Sequence, residues 1–336
     1  MANIGMIGAG SWGIALTWLL TNNGHRVTVW SALADEVALL QEKHEQTAKL
    51  PGVILDDSVV FTTDLSQAVK GMELLVLAVP SPFTRSTARQ LSPLVEEGQI
   101  IVNVAKGVEE KTLMTLSRIV EEEIPQAQVA VLSGPSHAEE VGKGMPTAIV
   151  AGARTRAVAE KIQKIFMSPV FRVYTSPDVL GIELGAALKN VVALAAGIAD
   201  GLGYGDNTKA ALITRGITEI ARLGTAMGGR RDTFFGLTGI GDLIVTCASM
   251  HSRNRRAGIL IGQGHSMEEA MKEVKMVVEG VYSAKAAMGL AEKYGVDLPI
   301  IRQVNQVLFE GKPAADAVSE LMLRDKKIEI SDAEWE

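Results

Sequence analysis

The chain has 336 residues, enough for two domains at roughly 100–200 residues each. At 47% hydrophobic and 21% charged residues it has the composition of a globular protein and not of a disordered one, and 4% aromatic content argues against an aromatic-rich recognition surface. A net charge of −6 argues against nucleic acid or an anionic membrane as the main partner, and the single cysteine, Cys247, excludes an intrachain disulfide and a cysteine-based metal site while fitting a reducing, cytoplasmic compartment.

The first half alternates short apolar runs with helical patterns. Strands are expected at Asn3–Gly8, Arg26–Trp30, Leu74–Val79, Ile100–Val104, Val129–Leu132, Thr147–Ala151 and Val170–Tyr174, each short, β-branched and bounded by Gly or Pro. Helices are expected between them at Trp12–Asn22, Ala34–Lys43, Phe83–Leu91, Leu113–Glu122 and Ala157–Phe166. Continuous apolar strands interleaved with helices predict a parallel sheet covered on both faces, a Rossmann-like doubly wound α/β domain. Past Tyr174 strand signals vanish. Helical periodicity predicts Pro177–Ala199, Thr208–Met227, Gly239–Ala248, Asn254–Ile261, Ser266–Lys275, Val281–Tyr294, Pro299–Phe309 and Pro313–Leu323, with a capping box from Ser266 to Glu269. The expected division is a dinucleotide-binding domain over 1–176 and an all-α substrate domain over 177–336, packed directly with a cleft between them. The N-terminus has no basic segment of a signal peptide, and the longest apolar runs fall short of the ~20 residues that cross a bilayer.

The chain opens on Gly8-Ala9-Gly10-Ser11-Trp12-Gly13, a G-x-G-x-x-G placed directly after a strand and before a helix. In that setting Gly8 permits the turn, Gly10 lets backbone approach a pyrophosphate, and Gly13 allows close helix–strand packing, so the helix N-terminus faces the anion. The cofactor is therefore NAD or NADP. An acid about 20 residues further on would hold a ribose 2′-hydroxyl. Here the second strand ends at Trp30-Ser31-Ala32; Asp35 and Glu36 come several residues late, and no Arg is present to clamp a 2′-phosphate. Ser31 could bond either group or cap the next helix, which leaves the choice between NAD and NADP open.

Further along, Lys106 follows the strand Ile100–Val104, at a carboxyl end that faces the ligand crevice of an open α/β sheet; it either reaches a bound ligand or is a solvent lysine in a surface loop. Lys189 shares a small, apolar helical face with Gly185, Ala186, Val192, Ala193 and Ala196; it is either a snorkelling side chain or a desolvated amine able to exchange protons near neutral pH. Ser133-Gly134-Pro135-Ser136-His137-Ala138-Glu139 ends another strand, and Ser136 with Glu139 has capping-box spacing for a helix starting there. His137 is more simply a first-turn residue than an acid/base. Asp242 either caps a helix or orients a lysine. Ser252-Arg253-Asn254 has the composition of either a small phosphate or carboxylate site at a helix N-terminus or a solvated basic turn. No metal-binding spacing occurs.

Taken in order, Gly8–Gly13, Val104–Gly107, Leu132–Ala138, Glu183–Asn190, Gly239–Leu243, Ser252–Asn254 and Val277-Val278-Glu279-Gly280 resemble the NAD(P)-dependent glycerol-3-phosphate dehydrogenases of the bacterial soluble type, over nearly the whole chain. The resemblance implies reversible hydride transfer between NAD(P)H and dihydroxyacetone phosphate, giving sn-glycerol 3-phosphate for phospholipid synthesis. It implies Lys189 as proton acceptor. It implies substrate contacts from Lys106, Gly134, Ser136, Asp242, Ser252, Arg253 and Asn254, and dinucleotide contacts from Ser11, Trp12, Lys106, Ala138, Arg253, Val277 and Glu279. Many members carry a basic residue where this chain has Ser31 and Ala32, which puts the usual preference for NADPH in doubt. A β-hydroxyacid dehydrogenase of the 6-phosphogluconate type shares the two-domain plan and a catalytic lysine followed by Asn, but Ser252–Asn254 and Val277–Gly280 argue for the first reading. A non-catalytic redox sensor would need neither lysine pair nor phosphate grip. A homodimer through the helical half stays open.

Overall fold

The computed structural model describes residues 1–326, 328 and 329; the end of the expected helical domain, 327 and 330–336, lies outside the described residues. In chain order the elements are β1 (Asn3–Ile7), α1 (Ser11–Asn22), β2 (Arg26–Trp30), α2 (Ala34–Lys43), β3 (Val60–Thr62), β4 (Leu74–Leu77), α3 (Thr84–Leu91), β5 (Ile100–Asn103), α4 (Leu116–Glu123), β6 (Gln128–Ser133), α5 (Ala138–Val141), β7 (Thr147–Ala153), α6 (Arg156–Phe166) and β8 (Phe171–Ser176). Helices follow: α7 (Val179–Gly201), α8 (Asp206–Ala226), α9 (Arg231–Phe234), α10 (Asp242–Ala248), α11 (Arg253–Gly262), α12 (Met267–Val274), α13 (Glu279–Tyr294), α14 (Pro299–Phe309) and α15 (Ala314–Met322).

One eight-stranded sheet runs in the order β3-β2-β1-β4-β5-β6-β7-β8. The two-residue period of a strand sends Ile4, Met6, Leu74 and Val76 into one helix-covered face, and Ile7, Leu75 and Leu77 into the other. This is why the strands read as unbroken apolar runs. The chain reverses direction of progress at β1, which pairs with both β2 and β4, so the glycine turn after β1 opens at the crevice where ligands of such sheets bind.

The sheet departs from the expected all-parallel form. β7 runs antiparallel to β6, because the four-residue α5 between them stays at the carboxyl end and does not carry the chain back along the sheet. β3 is an unforeseen edge strand, three residues long and too short to show a period. Two helices begin later than their patterns. Leu113 adopts φ 59° in a turn and Thr115 is the N-cap of α4, while the expected Gly239–Ala248 helix splits into a π-helical turn, Leu237–Gly241, and α10. The Ser266–Glu269 capping box forms as expected at the start of α12.

α7 is the axis of the helical half: every residue from Gly181 to Ala199 is buried. Of the described helices it alone is long and apolar enough to cross a membrane, and 89% of the apolar window lies inside the protein. It packs against α11 backbone to backbone. A Cβ on Gly258 would meet the Leu194 carbonyl oxygen at 2.3 Å, and one on Gly197 would meet that of Arg255 at 2.1 Å. This contact brings the first turn of α11 beside Lys189 and Asn190. The sheet and the helices are joined by Glu183 of α7, whose buried carboxylate accepts the Ser117 amide (2.8 Å) and hydroxyl at the first turn of α4. Burial pushes the Glu183 carboxyl above its ordinary range, against the pull of those hydrogen bonds.

Candidate active site

A cleft of about 660 Å³ lies between the carboxyl ends of β1, β4, β5 and β6 and the helices α7, α10, α11 and α13. At its floor three charged side chains from three elements meet. Asp242 opens α10 and is 1% exposed. Its Oδ1 accepts from Lys189 Nζ on α7 at 2.6 Å, and its Oδ2 accepts from Lys106 Nζ, in the loop after β5, at 2.7 Å. Lys106 also donates to the Gly134 carbonyl (3.0 Å) and to Ser136 Oγ (3.2 Å) after β6. Lys189 donates a second bond to Thr246 Oγ1 at 2.6 Å, one turn along α10 from Asp242. Thr246 in turn donates to the Asp242 carbonyl, so the hydroxyl has a fixed direction.

Two cations share one buried anion, and the electrostatics follow from that. Burial drives Lys189 down to about 8 from the usual 10.5; Asp242 resists this and the Lys106 ammonium adds to it. Burial works to raise the Asp242 carboxyl, yet the two ammonium groups outweigh it and hold the carboxyl below its ordinary value. Lys189 is therefore the desolvated amine of the two sequence alternatives and does not snorkel. Cys247, next to Thr246, is pushed up to about 12 by burial, which keeps it a thiol.

The substrate-side residues of the resemblance converge on the same floor. Ser252 caps α11, its hydroxyl accepting the Arg255 amide, and leaves the amides of the first helical residues facing the cleft. Asn254 donates to Asn190 Oδ1 (2.9 Å) and accepts the Gly280 amide (2.9 Å), locking α7, α11 and α13 together. Arg253 lines the cleft with no ion-pair partner among the described residues. Glu279 lines it too; burial pushes its carboxyl up, against the Arg253 guanidinium.

The dinucleotide side fits its expected ligand. Gly8 takes φ 124°, and a Cβ on Gly13 would strike the Gly8 carbonyl oxygen at 2.2 Å. By contrast, a Cβ on Gly10 would meet no atom of the described residues within 4 Å, the gap that a pyrophosphate needs. α1 has no side-chain cap, so its first amides are free to meet an anion. Trp12 Nε1 is buried without a partner among the described residues, and Ala138 and Val277 line the same cleft.

Some expectations need correction. Ser136 and Glu139 form no capping box: His137 is the N-cap of the four-residue α5, with no side-chain bond, and Ser136 Oγ instead donates to the Gly134 carbonyl and meets Lys106. His137 lines the cleft, but its Nε2 faces the Val245 carbonyl at 3.5 Å, and burial together with the Lys189 charge pulls it below the usual imidazole range. Ser31 is buried at 5% exposure and does not line the cleft. Glu36, set aside as too late in the sequence, folds back to it. Thr246 and Asn190 were not anticipated as site residues. Thr246 had a signal, four residues beyond Asp242 on one helix face; Asn190 had none apart from its neighbour Lys189.

Comparison with known proteins agrees with this geometry. A family model described as the N-terminus of NAD-dependent glycerol-3-phosphate dehydrogenase matches residues 3–159, and the corresponding C-terminal model matches 178–319. The chain is 68% identical to the glycerol-3-phosphate dehydrogenase [NAD(P)+] of Agathobacter rectalis over the full length of both. It is 61% identical to that of Fusobacterium nucleatum, covering 98% of this chain and 99% of the relative. Among solved structures, the glycerol-3-phosphate dehydrogenase of Coxiella burnetii superposes with a TM-score of 0.93 at 35% identity, over 96% of this chain and 99% of that one.

Proposed function

Since the chain belongs to the NAD-dependent glycerol-3-phosphate dehydrogenase family, we propose a mechanism in which Lys189 exchanges the proton, Lys106 polarises the reacting oxygen and the first turn of α11 grips the phosphate. The enzyme is an oxidoreductase that interconverts dihydroxyacetone phosphate and sn-glycerol 3-phosphate with NAD or NADP. The observation that carries the residue roles is the Lys189–Asp242–Lys106 cluster at the cleft floor.

A dinucleotide held at the Gly8–Gly13 turn would supply the hydride chemistry at the carbonyl carbon. The chain supplies the rest. Lys189 Nζ donates its proton to the carbonyl oxygen, the carbonyl becomes a hydroxyl, and Lys189 is left as a neutral amine that solvent reprotonates. In oxidation the same amine accepts the hydroxyl proton. A lysine at about 8 is suited to both directions. Asp242 and Thr246 hold that nitrogen by two short bonds, so its remaining N–H is aimed at the substrate. Lys106 Nζ, held by Asp242, the Gly134 carbonyl and Ser136, lies beside the oxygen, an electrostatic contribution made before any charge develops. Arg253, Ser252 and Asn254 fix the phosphate through a fork-shaped guanidinium and free helix amides.

In this reading residues 1–176 hold the dinucleotide, 177–336 hold the substrate, and the product serves as a glycerophospholipid precursor in the cytoplasm. Absorbance at 340 nm, followed with dihydroxyacetone phosphate and NADH or NADPH in separate assays, tests it. Oxidation of either coenzyme that is lost in Lys189→Met is expected. Near-normal turnover in Lys189→Met would remove the proton-transfer role.

A further inference from the structure

The acid expected at the end of β2 is missing from the sequence there, yet the fold delivers one to the same place. Ser31 follows β2 directly, and its Oγ donates to Glu36 Oε2 at 2.8 Å from the first turn of α2. The Leu33 amide donates to the same hydroxyl at 3.2 Å, which fixes its orientation. The second Glu36 oxygen, Oε1, accepts from the Lys49 ammonium. Lys49 is itself anchored: its carbonyl oxygen accepts the hydroxyl of Ser11, the first residue of α1. Lys49 lines the cleft beside Gly10, Ser11 and Trp12. A chain of bonds thus runs from the phosphate-facing turn through Lys49 and Glu36 to the end of β2, the two points between which an adenosine ribose lies in this fold.

We propose that Glu36 is the residue through which this enzyme discriminates between the two dinucleotides, and that it favours the one with a free 2′-hydroxyl. The inference rests on the reading of the Gly8–Gly13 turn as the coenzyme seat. Each Glu36 oxygen has one lone pair engaged by the protein and another available, so the carboxylate accepts a ribose hydroxyl without losing Ser31 or Lys49. A 2′-phosphate meets the opposite situation. It places added negative charge beside a carboxylate whose side chain is only 15% exposed. Lys49 has N–H donors to spare for it, but its single positive charge is already set against the Glu36 carboxylate, which would face the phosphate in turn. The Glu36–Lys49 pair carries no net charge, so it brings no surplus cation to the phosphate.

The test is calorimetric titration of the full chain, without substrate, with NADH and with NADPH. The wild type is expected to bind NADH more tightly. Glu36→Gln should shrink that ratio on the order of tenfold, the size of one charged hydrogen bond. Lys49→Met, which leaves the carboxylate in place without its cation, should enlarge the ratio. Both ligands are read on the same sample, so a partly folded fraction cancels from the ratio. A wild type that prefers NADPH, or a Glu36→Gln ratio equal to that of the wild type, overturns the proposal. The fate of the catalytic reading is separate: dinucleotide binding without turnover of dihydroxyacetone phosphate would overturn that reading and leave Glu36 standing. Turnover with an unchanged ratio would do the reverse.

Discussion

A lysine gives up a proton near neutrality only where its ammonium form is destabilised, and Lys189 owes this to burial set against one shared carboxylate. Reduction consumes the ammonium form, so kcat/KM for dihydroxyacetone phosphate should fall as pH rises through about 8, and kcat/KM for glycerol 3-phosphate should rise over the same interval. Initial rates in both directions, from roughly two pH units below that value to two above it, would show the mirrored limbs. Asp242 holds Lys189 up against desolvation. In Asp242→Asn the limb should therefore move to lower pH, and kcat should drop by ~10²-fold or more as two lysines lose their common partner. A pH profile unchanged in that variant would show that the carboxylate does not tune the lysine. These two lysines were visible in the sequence by their positions after a strand and on an apolar helical face. Their shared carboxylate was legible only as an alternative, since nothing in a spacing of 53 residues between Lys189 and Asp242 says that they touch.

Helices α7 and α11 meet through glycines, and the phosphate grip proposed for Ser252–Asn254, at the start of α11, depends on that closeness. Gly258→Ala should cost about 1–3 kcal/mol in unfolding free energy, as overpacking does where backbone is the obstacle. It should also raise KM for glycerol 3-phosphate more than for the coenzyme; denaturant titration and steady-state kinetics together check both parts. A second helix-level device is Glu219 of α8, whose carboxylate accepts the amides of Ile300 and Ile301 at the start of α14. Burial pushes it up to about 7 from 4.5, with those amides pulling the other way. A carboxyl raised on folding contributes stability that is complete below its unfolded value and is lost as pH rises through its folded one. Between about 4.5 and 7 the wild type should thus lose melting temperature relative to Glu219→Gln, and the two should converge at the acid end. Parallel melting curves across that window would exclude the effect. The element pattern itself was largely readable, because α6 and α14 are strongly amphipathic and β1, β2, β4 and β5 are apolar runs between turns. What was not readable were elements too short to repeat a period, such as β3 and α9, and the direction of β7.

At the scale of the whole molecule, the sheet and the helices form the site jointly: Lys106 and the glycine turn come from one, and Lys189, Asp242 and the α11 turn from the other. Coenzyme bound across this boundary stabilises the native chain by mass action, ~2.7 kcal/mol at a hundred times its dissociation constant. NADH at that excess should raise the melting temperature by several degrees, and Gly10→Val, which fills the open space above the turn, should abolish the shift while leaving the melting temperature of the free protein nearly unchanged. Gly13→Val should instead lower the free protein's own melting temperature, since its Cβ would strike the backbone of Gly8. Differential scanning calorimetry with and without NADH separates the two cases.

The sequence by itself determined the fold class, the glycine turn at the head of the sheet, the change from strands to helices near residue 176 and the two lysines, because each is encoded in neighbours along the chain: a period, a turn residue, a cap. Only the tertiary structure decided that Lys189 is desolvated, that Asp242 serves both lysines, that Ser136 meets Lys106 and does not cap a helix, and that Glu36 returns to the end of β2. Each of these is a meeting of residues from separate elements, set by side-chain burial and by the backbone contact of two glycine-bearing helices, quantities that no local pattern carries.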